Sequence, residues 1–281
     1  MLYSIRHRTV YHFDRAVFLE PHRLLLKPVQ SHRQQLRDYS ILIDPLPAGH
    51  THLIDAENNP AQLIWFNGNH RQLVLEVQAV VSVPEFNPFD FLIYPLESAR
   101  LGFRYPADLE SLLVPYLQIP GLGRHLSQRV EAIRRNNGDG VMNYINGSLA
   151  DLHGRIERIV REEGEPLPPE ETLLSAKGSC RDIALLHIAL LREAGLASRF
   201  VSGYLYHHGE EEDHELHAWA EVYLPGAGWL GIDPTLGIWS QGDHITLATS
   251  ALPAGTMPVT GSYRGDAAAV MDATVLITRL D

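Results

Sequence analysis

The spacing of apolar residues changes from strand-like to helical about one third of the way along the chain. Up to about residue 95 the apolar residues form short runs, separated by clusters of proline, asparagine and glycine. Short runs between turn signals are typical of β-strands, and several in succession favour a small antiparallel sandwich. We therefore predict an N-terminal antiparallel β-sandwich domain over residues 1–100. The predicted strands are 3–11, 24–26, 39–43, 62–66 and 73–77.

The rest of the chain combines helices with a short antiparallel sheet. Apolar residues recur at helical spacing in three segments between residues 109 and 152, and again from Cys180 to Leu191. Residues 199–206, 216–224 and 229–233 then read as strands, and the Pro-Gly sequence at 225–226 predicts a hairpin between the last two. Helices followed by an antiparallel sheet predict an α+β core. We place this core at residues 101–265, with a C-terminal strand in 266–281 that could return to the N-terminal domain.

Cys180 is the only cysteine of the chain, which excludes an intramolecular disulfide and a cysteine-rich metal site. It lies in the first turn of the predicted helix, where free backbone N–H groups and the helix dipole favour a thiolate. The N–H of Cys180 itself would be a natural oxyanion donor. A histidine within hydrogen-bond reach would complete a thiolate–imidazolium pair, and an acid on its other ring nitrogen would orient it.

His217 and Asp233 can supply these groups if the hairpin places them on one face of the sheet. This requires a loop with an odd number of residues, and direct opposition requires pairing centred on residue 225. Each residue also has a structural interpretation. A single cysteine is often a small buried apolar residue, a strand histidine is often structural, and Asp233-Pro234 is a common turn dipeptide. Spacing alone leaves both interpretations open.

Three ordered motifs resemble those of the bacterial transglutaminase-like superfamily. The nucleophile, histidine and aspartate motifs correspond to residues 178–182, 217–223 and 229–235. The N-terminal β region is similar to the domain that precedes this core in bacterial members, and residues 259–265 and 273–277 resemble their C-terminal end. The resemblance implies a papain-like fold with Cys180 as the nucleophile, His217 as the base and Asp233 as the orienting acid.

The resemblance also implies a thioester intermediate, because peptidases, amidases and cross-linking members of the superfamily share that step. We expect a cysteine-dependent acyl-transfer enzyme acting on peptide or amide bonds, with hydrolysis favoured. The alternatives are a protein-glutamine transamidase and a catalytically silent binding module of the same fold. The N-terminal β domain, which carries no catalytic signature, motivates the binding module.

The net charge and the N-terminal sequence limit the expected partners and location of the protein. A net charge of -11 argues against binding to a phosphate backbone. The N-terminus lacks an apolar leader, and no run of 18 apolar residues occurs. We expect a cytoplasmic protein that needs no cofactor and acts on a peptide or protein, with no nucleic-acid or membrane partner.

The remaining candidates are aromatic, histidine and acidic residues near these motifs. Trp219 shares the predicted face of His217, so it could line the substrate cleft or belong to the core. His207, His208 and His214 raise the hypothesis of a metal-dependent hydrolase. His214 and His217 would point to opposite faces of a strand, so we expect no metal ligand here. The acidic run 210–213 predicts a solvated loop that could select basic substrates.

Overall fold

The computed structural model describes residues 1–119, 123–161, 164–208 and 216–281. The N-terminal part forms two antiparallel sheets over a shared apolar core. Its strands are β1 (Leu2–Leu19), β2 (His22–Leu24), β3 (Gln35–Asp44), β4 (Gly49–Ile54), β5 (Pro60–Trp65) and β6 (Asn69–Ser82). The sequence pattern missed β4, most of whose residues are exposed, because an exposed strand carries no apolar run to reveal it.

An irregular connector with one 3-10 turn, Leu96–Ala99, leads into the helical part. The elements that follow are α1 (Ala107–Leu117), α2 (Arg124–Asn137), α3 (Val141–Arg155), β7 (Glu157–Arg158), α4 (Pro169–Ser175), β8 (Lys177–Gly178) and α5 (Cys180–Glu193). Pro115 lies within α1 rather than ending it. After α3 the chain becomes extended, and β7 pairs in parallel with β8 just before the start of α5.

The third sheet follows α5 directly. It is built from β9 (Ser198–Leu205), β10 (Leu216–Leu224), β11 (Gly228–Asp233), β12 (Ile238–Trp239) and β13 (His244–Ser250). These strands are antiparallel throughout, in the order β12-β11-β10-β9-β13. The chain ends with β14 (Val259–Thr260), β15 (Tyr263–Arg264) and β16 (Ala269–Arg279). The last of these pairs with β1, so the C-terminal strand lies in the N-terminal domain.

The two faces of the third sheet pack against different parts of the molecule. Alternate residues of β10, among them Ala220 and Val222, bury one face against α5 and its neighbouring helices. On the other face Trp219 and Glu221 line a cavity that residues of the N-terminal domain also line, and Tyr204, Ile245 and Leu247 join the core of the N-terminal sandwich. This arrangement confirms the predicted fold class, an N-terminal antiparallel β domain followed by an α+β core of the transglutaminase-like, papain-like type.

Candidate active site

Cys180 is the first residue of α5, and a capping box holds it there. The backbone N–H and the hydroxyl of Ser179 both donate to the Asp182 carboxylate, at 2.8 and 2.7 Å, and the Ser179 side chain accepts from the backbone of Asp182. Such reciprocal bonds satisfy donors that a helix start otherwise leaves unpaired. The N–H of Cys180 has no acceptor within the helix by its position, which suits it to receive a developing oxyanion.

Arg161 compensates the negative charge of Asp182, which lies close to Cys180. Asp182 is fully buried and also accepts from Arg161 at 2.6 Å and from the backbone N–H of Leu167 at 2.7 Å. Because the Arg161 guanidinium pairs with this carboxylate, the carboxylate repels a thiolate at Cys180 less strongly. Asp182 therefore anchors the nucleophile helix to Arg161 and Leu167.

The β10–β11 hairpin brings His217 and Asp233 to one face of the sheet. The pair Leu224 and Gly228 closes a loop of three residues, with positive φ at Gly226 and Gly228. The loop is odd, as the catalytic interpretation requires, but the pairing is centred on Gly226 rather than on residue 225. His217 and Asp233 are consequently diagonal neighbours and do not face each other directly, a separation that long side chains can span.

Asp233 holds the imidazole of His217 through one carboxylate oxygen. His217 Nε2 lies 2.7 Å from Asp233 Oδ2, and both residues are almost completely buried. The other oxygen, Oδ1, accepts the backbone N–H groups of Thr235 at 2.9 Å and Leu236 at 3.3 Å. The turn after β11 therefore fixes the carboxylate that orients the histidine.

The side chain of Cys180 lies next to the same imidazole, close enough to raise the pKa of His217. Since Nε2 of His217 is engaged by Asp233, Nδ1 is the ring nitrogen left to face the sulfur. Cys180 is free and only half-buried, so small reagents can reach it. The structure thus brings the three sequence-predicted residues together, in the order Cys180, His217, Asp233.

Burial and neighbouring charges have opposite effects on the pKa values of His217 and Asp233. Burial acts to lower the pKa of His217, but the charge of Asp233, its hydrogen bond and the contact with Cys180 outweigh burial and raise that pKa to about 10. Burial likewise acts to raise the pKa of Asp233, whereas His217 and a hydrogen bond from His244 lower it well below its usual range. The site therefore holds an imidazolium next to the sulfur at neutral pH.

His244, which begins β13, is a functional candidate that the sequence motifs did not reveal. Its Nε2 lies 3.1 Å from Asp233 Oδ2, and 7% of its surface is exposed. The pairing of β13 with β9 at the edge of the sheet positions His244. No regular spacing in the sequence relates β13 to the β10–β11 hairpin, so the sequence could not predict this contact. The ligand atoms of His217, Asp233 and His244 lie within 4.8 Å of one another, but both histidine–carboxylate separations are hydrogen-bond distances.

Trp219 forms a wall beside both histidines. Only 1% of its surface is exposed, and its ring stacks on His217 at 6.1 Å and meets His244 edge-on at 5.1 Å. Gly203 and Gly231 on the flanking strands leave room for this ring, since a Cβ at Gly203 would lie 2.6 Å from it and a Cβ at Gly231 3.5 Å. Trp219 is thus a packed neighbour of the histidines.

Behind this wall lies a cavity of about 650 Å³ between the N-terminal domain and the third sheet. Trp219 and His244 contribute to its lining, as do Arg33 and the ion pair between Arg199 and Glu221 at 2.7 Å. Cys180, His217 and Asp233 are not among its lining residues. The cavity therefore borders the far side of the site from the sulfur.

The other histidine and acidic candidates are spread apart or fall outside the described ranges. His208 lies at the surface, 3.2 Å from Asp243. His214 and the run Glu210, Glu211, Glu212 and Asp213 lie outside the described residues. Within the described ranges, no helix is long and apolar enough to cross a membrane.

Two protein-family models match the chain. The model of the bacterial transglutaminase-like N-terminal region matches residues 3–82, which hold β1 to β6. The model of the transglutaminase-like superfamily matches residues 148–234, which include Cys180, His217 and Asp233. His244 lies beyond the matched residues.

Individual proteins also resemble the chain in sequence or in fold. The chain is 29% identical over 253 residues to the uncharacterized protein Rv2569c of Mycobacterium tuberculosis, covering 83% of this chain and 78% of that protein. It is 32% identical over 71 residues to the uncharacterized protein YebA of Bacillus subtilis, covering 21% of this chain and 10% of that protein. A crystal structure from Cytophaga hutchinsonii, described as a candidate cysteine protease, superposes with a TM-score of 0.74 at 18% identity, covering 100% of this chain and 91% of that one. At this identity the superposition establishes the fold.

Proposed function

Since the chain belongs to the bacterial transglutaminase-like proteins, we propose that it is a cysteine-dependent acyl-transfer enzyme acting on peptide or amide bonds. One observation carries the proposal. A half-buried cysteine at a helix start lies next to a buried histidine, which is hydrogen-bonded to a buried aspartate. This order of groups is what nucleophilic catalysis by a thiolate requires.

The first half-reaction forms a thioester on Cys180. The thiolate attacks the carbonyl carbon, and the oxyanion that forms lies within reach of the N–H of Cys180. As the carbon–nitrogen bond breaks, the imidazolium of His217 gives its Nδ1 proton to the leaving amine. The products of this step are an acyl-enzyme and a free amine, with His217 neutral.

The second half-reaction returns the enzyme to its starting state. Neutral His217 takes a proton from the acceptor, which attacks the thioester carbon and releases the thiolate of Cys180. Asp233 keeps its charge throughout and holds the ring between the sulfur and the acceptor. Water as acceptor gives hydrolysis, and an amine gives transamidation.

We propose water as the acceptor and therefore a peptidase or amidase. Transamidation requires a second site that binds and orients an amine, whereas hydrolysis requires only solvent at the thioester. The proposed substrate is a peptide or protein, and the net charge of -11 supports the absence of a nucleic-acid partner. We propose the cytoplasm as its location, which cell fractionation would test.

The experiment that tests the function uses the single cysteine as a built-in reporter. The full chain is incubated with a peptide library and analysed by intact mass spectrometry, in which any thioester adduct must be on Cys180. The expected result is an acyl adduct that Cys180→Ala abolishes and added primary amine does not redirect. A product that carries the amine would establish transamidation instead.

A silent binding module gives a different result. If iodoacetamide alkylates Cys180 no faster at neutral pH than an ordinary free thiol, and no adduct forms, the activated-nucleophile proposal is wrong. His217→Gln is the companion variant, because it removes the imidazolium but leaves the cysteine in place.

A further inference from the structure

One oxygen of Asp233 receives two histidine side chains. Oδ2 lies 2.7 Å from Nε2 of His217 and 3.1 Å from Nε2 of His244. The role of His217 is accounted for by its contact with Cys180. His244 makes no contact with the sulfur in the described hydrogen bonds, so its place at the site needs a separate explanation.

The hydrogen bonds of His244 define which ring nitrogen carries the proton. The backbone N–H of Gln241 donates to Nδ1 of His244 at 3.4 Å, so Nδ1 accepts. Nε2 of the neutral ring then carries the hydrogen and donates it to Asp233. His244 is therefore a donor aimed at the carboxylate.

The carboxylate of Asp233 is held at both ends as a result. Two backbone N–H groups of the following turn bind Oδ1, at 2.9 and 3.3 Å. His244 binds Oδ2 from the β13 side of the sheet. With three donors fixed by the backbone or by a buried ring, rotation of the carboxylate about its last bond is restricted, and the remaining lone pair of Oδ2 stays directed at His217.

Packing keeps His244 in this place. Its ring meets Trp219 edge-on at 5.1 Å, and Trp219 stacks on His217 at 6.1 Å. The other side of His244 borders the interdomain cavity of about 650 Å³. The residue is therefore buried, well supported and next to a space that small molecules can enter.

We propose that His244 is a positioning residue for the acyl-transfer reaction, acting through Asp233 on the orientation of His217. The inference rests on the proposed function. It extends the Cys180–His217–Asp233 series by one hydrogen bond from a strand outside the hairpin. Loss of the N–H donor should slow steps that use His217 as a base, and it should leave substrate binding unchanged.

The test compares three variants with p-nitrophenyl acetate as the probe. This ester releases p-nitrophenolate without taking a proton from His217. Once the thiolate has been consumed, the imidazolium gives its proton to bulk water, and deacylation then reports on neutral His217 as base. His244→Phe keeps the ring and its packing but lacks the donor, and His244→Gln supplies an amide N–H at a similar reach. We expect deacylation to fall roughly tenfold or more in His244→Phe, with kcat/KM unchanged and acetyl-enzyme accumulating, and only a few-fold in His244→Gln.

His244→Ala provides a readout that a merely structural role would not produce. The variant opens a space beside the cavity into which free imidazole can diffuse. We expect millimolar imidazole to restore part of the deacylation rate in His244→Ala and to have no such effect in His244→Phe. Circular dichroism and thermal melting of each variant check that the fold is retained, and rescue in the alanine variant remains decisive if the phenylalanine variant does not fold.

His208→Phe is the matched control, since His208 also contacts an aspartate but lies at the surface. It should behave as the wild type. The inference is wrong if His244→Phe deacylates at the wild-type rate, or if glutamine and imidazole restore nothing. Absence of a burst in the wild-type protein, or a burst that survives Cys180→Ala, would instead overturn the proposed function.

Discussion

Replacing Asp233 by asparagine tests the electrostatic reasoning at the centre of the site. The carboxylate accepts hydrogen bonds from His217 and His244 and from the backbone of Thr235 and Leu236. Asparagine has nearly the same shape, but it lacks the charge and turns one acceptor into a donor. The substitution therefore isolates the charge of this residue from its volume.

The size of the effect follows from His217. Burial alone would lower its pKa, and Asp233 is the main reason that the pKa lies at about 10 instead of the ordinary 6.5. This difference corresponds to roughly 5 kcal/mol in favour of the imidazolium. Without the carboxylate, burial should bring the pKa of His217 below 6.5, so the ring is mostly neutral at pH 7. We expect acyl transfer to fall by on the order of 10³–10⁴-fold, as when a triad acid is replaced by its amide.

The assay is the rate of Cys180 alkylation by iodoacetamide as a function of pH. In the wild-type protein His217 keeps its proton up to about pH 10. Alkylation consumes the thiolate that this imidazolium favours, so at neutral pH the wild-type rate should exceed that of an ordinary free thiol. In Asp233→Asn the rate at neutral pH should fall toward that of an ordinary free thiol.

Asp243→Asn is the control, since Asp243 accepts from Tyr3 at 2.8 Å and from His208 at 3.2 Å, away from the sulfur. It should reproduce the wild-type profile. Superimposable pH profiles for wild type and Asp233→Asn would refute the reasoning, because they would show that Asp233 does not stabilise the imidazolium partner of the thiolate.

Three further predictions concern packing, the helix start and acid sensitivity. Gly203→Ala should lower the alkylation rate and the unfolding free energy together, because its Cβ would lie 2.2 Å from a carbonyl oxygen and 2.6 Å from Trp219; wild-type values in both assays would contradict this. Asp182→Asn should cost about 3–5 kcal/mol in urea unfolding, since it leaves Arg161 without its partner and weakens the capping box; a loss below about 1 kcal/mol would argue against a structural role. Burial lowers the pKa of His7 to about 4 from an ordinary 6.5, so stability is fully present above pH 6.5 and is lost as the pH falls through about 4. The melting temperature of His7→Leu should accordingly change less than that of the wild type over this range, and an equal change would contradict the prediction.

The local elements of the second half of the chain were predictable because their signals are local. The helix from Cys180 carries an apolar period and is followed by a glycine stop at Gly195, and the structure has it at Cys180–Glu193. The strand predicted for 216–224 is β10, with the same limits. The exposed strand β4 was missed, because burial and tertiary packing decide this feature rather than local propensity.

The relative position of His217 and Asp233 was only partly predictable. An odd loop places both on one face whatever its centre, so the shared face follows from parity. The shift of the centre from residue 225 to Gly226 depends on which glycine takes positive φ, and both Gly226 and Gly228 do. The outcome is a diagonal pair joined by a 2.7 Å hydrogen bond.

The sequence by itself determined the parts of this protein that depend on neighbouring residues. It placed the only cysteine at a helix start, a histidine and an aspartate on the two strands of a hairpin, and a β domain before the core. Only the tertiary structure decided that β13 pairs with β9 and brings His244 to Asp233, that two glycines admit the ring of Trp219, and that a cavity separates Trp219 from the N-terminal domain. The reason is physical: side-chain periodicity reports which face of an element is buried, whereas contacts between strands distant in the chain depend on how the sheets pack.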